Sequence, residues 1–278
     1  MLRLLTIELH KLKYNKSAKV ISLVYFILIT FIALIASIEF NFGDFHFRIA
    51  DQGIFNFPFI WHFNTWIAAI LKLFLAIVIV SMMANEYSHR TLKQNLIDGL
   101  SKKEFVLSKF LTVIGFALIS TLFVFVVSLI LGLVFSDYNE IGIVFSDIEY
   151  LLAYFVKLLG FFSFCLFLGV LIKRSAFALG FLLIWSIVEG IIYAIFKWKM
   201  FKDTDIAEGI MQFFPLASMS NLIKEPFSRL GAVQSAASQL GEAFDKDYSV
   251  QPLTIFIVLI WSFLFIYWSY LILKRRDL

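Results

Sequence analysis

Long apolar runs separated by short polar segments set the pattern of this chain. Six runs are each close to or longer than the roughly 20 residues that a helix needs to cross a bilayer. They cover about residues 20–38, 66–84, 105–135, 150–172, 176–196 and 253–273. The pattern predicts an all-α integral membrane protein, with a single transmembrane domain over residues 1–278 and six membrane-spanning helices.

The charge of the polar segments alternates with the predicted spans. Segment 136–149 carries four acidic residues and neither lysine nor arginine, whereas Lys173, Arg174 and the C-terminal tail are basic. Because lysine and arginine accumulate in short cytoplasmic loops, we expect both termini and loop 85–104 in the cytoplasm. Segment 197–252 is then external. The first run lacks a convincing cleavage site, so we expect a multi-pass protein of a bacterial plasma membrane.

Two further segments have an amphipathic pattern of their own. At the N-terminus, Leu2, Leu5, Leu9 and Leu12 fall on one face beside several lysines. This predicts a helix in the inner-leaflet interface, with a basic tail that only sets the topology as the alternative. In the external segment 197–252, short apolar stretches predict helices that lie on or dip into the outer leaflet; a small soluble cap is the alternative.

Loop 85–104 is predicted to form a short amphipathic helix on the cytoplasmic side. The helix is expected over residues 91–98, with Ser88 as its N-cap and Gly99 as its C-terminal stop. The sequence Ser101-Lys102-Lys103-Glu104 is a capping box that starts the next helix. The leucines on the apolar face of the loop helix, spaced by four residues, are Leu92, Leu96 and Leu100.

Composition agrees with a membrane protein and excludes several other classes. The chain of 278 residues is 61% hydrophobic and 16% charged, whereas soluble domains are about half apolar. Its single cysteine, Cys165, excludes a disulfide framework or a cysteine metal site within one chain. The net charge of +4 lies in short segments, so it reflects topology and predicts no nucleic-acid partner.

Three ionisable residues lie inside predicted spans: Lys72, Lys157 and Glu189. Each costs about 2.5–3.5 kcal/mol at mid-bilayer, so each needs a structural reason. All three fall in the outer half of the membrane. Because a tight turn joins the fourth and fifth spans, we predict an ion pair between Lys157 and Glu189. Snorkelling of the lysines to the outer headgroups is the alternative.

The fifth run also carries two pairs of small residues. Small residues four apart let helices approach closely, and we expect these pairs to serve packing within the bundle, with dimerisation as the alternative. The pairs are Ala176 with Gly180 and Ser186 with Gly190.

The sequence lacks three motifs that would indicate an enzyme. The G-x-x-x-x-G-K-[ST] phosphate loop, the H-E-x-x-H metal motif and the G-x-S-x-G nucleophile elbow do not occur in it. We therefore predict a protein that is not an enzyme and that binds no cofactor or metal of its own.

The stretch from Glu86 to Leu92, followed by Lys109, has a specific order. An acid after the second span precedes a Thr-Leu helix start, and a lysine lies at the start of the third span. This order resembles the first cytoplasmic loop of type-2 ATP-binding-cassette (ABC-2) permeases, although Arg90 stands where glycine is usual. The whole chain is also similar to that family in having a basic N-terminal helix, six spans and short helices between the last two.

The resemblance implies a function and a set of contacts. Two permease chains, identical or related, would form the pathway of an exporter, and a separate ABC ATPase would bind the ATP and dock on loop 85–104. The N-terminal helix would be a second contact, and Glu86 would brace the loop. The implied contact positions are Arg90, Thr91, Leu92, Gln94, Asn95 and Leu96.

A second interpretation comes from a different functional class. A transporter or channel driven by an ion gradient would use Lys72, Lys157 and Glu189 as its polar pathway, but it leaves the loop helix unexplained. A membrane-embedded enzyme would need a catalytic constellation that the sequence does not offer. The substrate remains open.

Overall fold

The computed structural model describes residues 2–42, 45–48, 53–202, 204–239 and 247–276. Its long helices are α2 (Lys16–Ser37), α3 (Phe59–Ser88), α5 (Lys102–Phe135), α7 (Glu149–Ile172), α8 (Ser175–Ile195) and α12 (Pro252–Arg275). Its short helices are α1 (Leu2–Tyr14), α4 (Thr91–Ile97), α6 (Ile141–Val144), α9 (Ile206–Met211), α10 (Pro215–Asn221) and α11 (Gly231–Gln239). A π-helical turn, Phe196–Met200, extends α8, and a 3-10 turn, Phe227–Arg229, precedes α11.

Within the described residues, five helical segments are long and apolar enough to cross a membrane. They are α3, α5, α7 together with α6, α8 with its π-helical extension, and α12. A sixth span is counted only if Arg3–Tyr14 and Lys16–Ile32, which meet at a bend of 88°, form one broken span. The first predicted run lies within α2, and Asn15 starts that helix by accepting a hydrogen bond from the Ala18 N–H at 3.1 Å.

The segment after α2 departs from the all-α prediction. Strands β1 (Glu39–Phe42) and β2 (Phe45–Arg48) form an antiparallel hairpin with Glu39 opposite Arg48. Both strands alternate aromatic with polar residues, a pattern that suits a strand. The helix that contains the predicted second span, residues 66–84, is longer than that run at both ends. Helix α3 starts at Phe59 because its first turns pack into the core, where Trp61 is fully buried.

Helix α7 is the centre of the bundle, with α3, α5 and α12 packed around it. Glycines permit the close approach. A Cβ at Gly169 would lie 2.8 Å from Met83 Cβ of α3, and one at Gly160 would lie 2.6 Å from Val258 Cγ1 of α12. Both distances are shorter than a carbon–carbon contact allows, so these two positions set how closely the neighbouring helices pack.

Helix α8 lies at the edge of the bundle and exposes most of its side chains. The small residues on it were expected to pack inside the bundle, and that prediction is wrong. A Cβ at Gly180 or Gly190 would have no neighbour within 4 Å, and Ala176 and Ser186 are exposed. These small residues therefore make no close helix contact within this chain, and Ser186 and Gly190 border a cavity shared with α9 and α10.

Candidate functional site

Loop 85–104 folds largely as its pattern predicts. Helix α4 occupies Thr91–Ile97, and Gly99 adopts a left-handed conformation at φ 95° just after it. The capping box is formed, with Ser101 N donating to Glu104 Oε2 at 2.9 Å and Glu104 N donating to Ser101 Oγ at 3.2 Å. The predicted N-cap is wrong. Helix α3 continues through Ser88, so Arg90 is the N-cap of α4, at φ 56° and without a side-chain cap.

The apolar face of α4 anchors the helix to the bundle. Leu92 is buried and belongs to the main hydrophobic core, and Leu100 packs against that core from the turn that follows α4. Leu96 is half-buried. Burying one side of a two-turn helix fixes its position, because so short a helix is not stable in water by itself.

A cluster of buried charges lies directly beneath α4. We call Glu8, Lys11, Glu86 and Lys109 the loop cluster. Lys109 Nζ lies 2.5 Å from Glu86 Oε1 and 2.7 Å from Glu8 Oε2. Lys11 Nζ lies 2.8 Å from Glu86 Oε1 and 3.6 Å from Glu8 Oε1. Lys109 and both carboxylates are nearly inaccessible to solvent, so removing one partner would leave a buried charge uncompensated.

Helix α4 is tied to this cluster through Glu86. Thr91 Oγ1 donates to Glu86 Oε2 at 2.5 Å, and Asn95 Nδ2 donates to the same oxygen at 3.4 Å. One carboxylate thus accepts hydrogen bonds from α1, α4 and α5 while it belongs to α3. The bracing role expected of Glu86 stays a prediction, and these contacts are the observation that supports it.

The side chains expected to contact an ATPase divide into two groups. Arg90 and Gln94 are exposed on the outer face of α4, whereas Leu92 is buried and Thr91 and Asn95 point at Glu86. Sequence reasoning missed Ile97, whose side chain is 69% exposed at the end of the same helix. It also missed Glu8 and Lys11. The sequence does place an acid, Glu8, at the edge of the apolar face of the N-terminal helix, and that was the available indication.

The predicted ion pair between Lys157 and Glu189 is wrong. Glu189 accepts hydrogen bonds from the Leu216 and Ala217 N–H groups, at 3.2 and 2.8 Å, and from Trp185 Nε1 at 2.7 Å. Lys157 Nζ instead donates to two backbone carbonyls, those of Ser220 at 3.3 Å and Ile223 at 3.4 Å. The carboxylate therefore binds the N-terminal end of α10, and the ammonium binds its C-terminal end.

The ends of α10 explain this arrangement. The first turn of a helix has N–H groups without partners and the last turn has free carbonyls, so the two ends carry partial charges of opposite sign. Phe214, the N-cap, has no side-chain acceptor, and Pro215 has no N–H. Glu189 supplies the missing acceptor and Lys157 the missing donor. Because α10 packs against α7, α8 and α12, this part of segment 197–252 is embedded in the bundle.

Lys72 has a different environment. Its Nζ lies 4.7 Å from the centroid of the Phe161 ring, which is a cation–π distance, and its side chain is half-buried. It shares no ion pair with Glu189. The structure therefore gives Lys72, Lys157 and Glu189 separate partners and does not connect them into one polar chain.

A buried histidine joins α3 to the external segment. Arg229 Nη1 lies 3.0 Å from His62 Nδ1, which must therefore accept, and His62 Nε2 donates to the Lys224 carbonyl at 2.9 Å. The imidazole stacks on Tyr150 of α7 with a centroid distance of 4.3 Å. These contacts hold the segment after α10 against the outer ends of α3 and α7.

An exposed ion pair links the end of α8 to α9. Lys197 Nζ lies 2.5 Å from Glu208 Oε1, and Tyr193 donates to the same oxygen at 2.9 Å. The hydrogen bond from Lys197 holds the pKa of the Glu208 carboxyl below its ordinary value. Both side chains are accessible to solvent, so the pair contributes little to stability and mainly positions α9.

The family model for ABC-2 family transporter proteins matches residues 51–273, which is most of the chain. The chain belongs to the ABC-2 transporter family. The resemblance first indicated by loop 85–104 is thereby confirmed. This ABC-2 permease is a multi-pass membrane protein and the transport component of an ABC system, which implies an ATPase partner. No curated protein matches the chain.

Proposed function

We propose that this permease forms the translocation pathway of a bacterial exporter together with a second permease chain. A separate ATPase docks on loop 85–104 in the cytoplasm, where both termini also lie, and drives transport. ATP is bound by that partner only. The observation that carries the proposal is the loop cluster, which connects the loop helix to two membrane-spanning helices through buried charges.

Direct contacts connect α4 to the membrane-spanning helices α3 and α5, so a movement of α4 is transmitted to them. Helix α4 contacts the bundle through Leu92, Thr91 and Asn95, and the last two bind Glu86 near the end of α3. Glu86 in turn binds Lys109 of α5. Separating these helices would break the buried ion pair and leave its charges without partners, at a cost of about 3–5 kcal/mol. Helices α3, α4 and α5 therefore move together at this point.

The docking face is the exposed side of α4. Arg90 and Gln94 offer polar contacts, and Ile97 offers an apolar one that a partner would bury. The opposite side of α4 packs against the bundle and holds this face in position; it carries Thr91, Leu92, Asn95 and Leu96. Arg90 adopts its left-handed conformation at the point where α3 gives way to α4, which projects its side chain away from the bundle surface.

The second permease chain docks on α8. Gly180 and Gly190 leave open space beside this helix, and small residues are the usual means by which membrane helices approach one another. Pairing on α8 would place two copies of α10, each bound at its two ends by Glu189 and Lys157, beside the shared pathway.

Co-purification tests the ATPase contact. Tagged chain is extracted from its native membrane in mild detergent, as wild type, as Ile97→Asp and as Ile141→Asp. Both isoleucines are strongly exposed, but Ile141 lies on α6 at the opposite end of the bundle. We expect an ATPase with a phosphate loop to co-purify with wild type and with Ile141→Asp, and to be lost from Ile97→Asp.

The contrary result would favour the other functional class. If wild type brings down no such ATPase, and transport instead follows a proton or sodium gradient, the exporter proposal fails. The present geometry gives that alternative little support, because Lys157 and Glu189 are already bound at the two ends of α10.

A further inference from the structure

An elongated apolar groove opens between α1, α2 and α5. Its volume is about 760 Å³. One wall is a single face of α2 that includes Leu23, Ile27 and Leu34, and the opposite wall includes Phe116 and Phe123 of α5. Leu23, Ile27 and Leu34 are more than half exposed, so no part of the described chain covers this wall.

The apolar part of the groove is close in length to one leaflet of a bilayer. Along α2 the whole groove extends from Ala18 to Leu34, which is about 24 Å at the helical rise of 1.5 Å per residue, and its apolar part from Leu23 to Leu34 covers about 17 Å. Half of a hydrocarbon core of about 30 Å is about 15 Å. The sharp bend between α1 and α2 places α1 across one end of the groove. The groove is therefore closed by α1 at the membrane surface and open to lipid along its length.

Basic side chains without partners surround the closed end. Lys13 and Lys19 line the groove, Lys16 lies between them in sequence, and all three are exposed. Among the described residues, none of the three forms an ion pair. Lys11, on the other side of α1, binds Glu86 and Glu8 instead. Helix α1 thus points Lys11 into the loop cluster and Lys13 to the mouth of the groove, where Lys19 of α2 also lies.

We propose that this groove binds an anionic phospholipid. The phosphate lies between Lys13 and Lys19, and one acyl chain follows α2 from Leu23 to Leu34. A headgroup with net negative charge balances the free lysines, whereas a zwitterionic headgroup adds a positive charge beside them. The assignment of the lipid to the cytoplasmic leaflet rests on the orientation proposed above.

The lipid would hold α1 in place for coupling. One side of α1 contributes Glu8 and Lys11 to the loop cluster, and the other side borders the groove. A bound lipid fills the space under α1 that the bend would otherwise leave open. Membrane composition would therefore act on the same helix that braces the ATPase docking loop.

Native mass spectrometry of the full chain tests the proposal. The chain is purified in detergent and titrated with phosphatidylglycerol or with phosphatidylcholine of identical acyl chains. The variant Lys13→Gln/Lys19→Gln is compared with Lys93→Gln/Lys103→Gln, which removes the same charge from exposed lysines elsewhere on the cytoplasmic side. We expect one tightly held phosphatidylglycerol on wild type and on the control variant, and about tenfold or greater weakening for the groove variant. Melting temperatures in phosphatidylcholine verify that all variants are folded.

A second variant tests the acyl-chain part of the groove. Ile27→Trp places a large side chain in its path and should reduce retention of phosphatidylglycerol with both lysines intact. The proposal is overturned if the groove variant binds phosphatidylglycerol as tightly as the control variant, or if both lipids bind equally to wild type. It is also overturned if Ile27→Cys cross-links two copies in a bilayer, since a second chain then fills the groove. Lipid binding needs no ATPase, so failure here is distinct from failure of the docking experiment.

Discussion

Lys157 and Glu189 bind opposite ends of helix α10 instead of binding each other. The carboxylate accepts from backbone N–H groups at the start of the helix, and the ammonium donates to carbonyls at its end. Two residues that are costly inside a membrane are thus explained by one embedded helix whose partial charges they match.

Exchanging the two charges should be harmful. In Lys157→Glu/Glu189→Lys, the ammonium would face N–H groups and the carboxylate would face carbonyls, so each helix end would meet a charge of its own sign. We expect the double variant to melt below either single variant. A direct ion pair would predict the reverse, namely recovery on exchange, and thermal melting in detergent distinguishes the two. Glu140→Gln, an exposed acid outside α10, should change the melting temperature little.

Loss of Lys109 should destabilise the chain strongly. Lys109→Met leaves Glu8 and Glu86 buried with Lys11 as their remaining cation, which should cost about 3–5 kcal/mol. Lys103→Met is the matched control, because Lys103 is exposed six residues earlier on the same helix. Melting curves of the two variants provide the measurement. Equal curves would mean that the loop cluster does not hold the helices together.

Removing the Thr91 hydroxyl should loosen α4 without unfolding the bundle. Thr91→Val keeps the shape of the side chain but deletes the hydrogen bond to Glu86, which is a bond to a charged group worth about 1.5–3 kcal/mol. Hydrogen exchange of the α4 amides should become faster. The same substitution at Thr204, whose exposed hydroxyl donates to the Phe201 carbonyl, should leave α4 unchanged. If hydrogen exchange of the α4 amides is unchanged in Thr91→Val, Glu86 does not anchor α4.

Cysteine cross-linking locates the second permease chain. The only native cysteine, Cys165, is buried, so a cysteine introduced at the surface reports on that position alone. Gly190→Cys should cross-link two copies within the membrane if α8 is the pairing face. Gly115→Cys, on α5 and also without close neighbours, should not. Cross-linking at Gly115 but not at Gly190 would move the interface to another face.

Local features of the sequence predicted the structure of loop 85–104 well. The four-residue spacing of Leu92, Leu96 and Leu100 and the Ser101-to-Glu104 capping box both depend on neighbours within one or two turns, and both occur in the structure. The N-cap was missed because α3 continues beyond the apolar run that marks it, and the cap position passes to Arg90.

The pattern of apolar and polar residues could not predict contacts between residues far apart in the chain. Glu8 and Lys109 are 101 positions apart, and nothing local indicates that they meet. For Lys157 and Glu189 the pattern predicted similar depths but the wrong partners, because a search for opposite charges overlooks backbone N–H and C=O groups. The external hairpin was overlooked because its aromatic residues were assigned to a loop at the membrane surface.

The loop cluster consists of two electrically neutral halves. Glu86 and Lys109 lie 2.5 Å apart on α3 and α5, while Glu8 and Lys11 lie three positions apart on α1. If α1 swings away, each half retains an internal ion pair and no unpaired charge stays behind in the bundle. Helix α1 could therefore separate from the bundle without leaving an unpaired charge buried there. In its present position it adds two ion pairs to the bundle, Glu8 with Lys109 and Lys11 with Glu86.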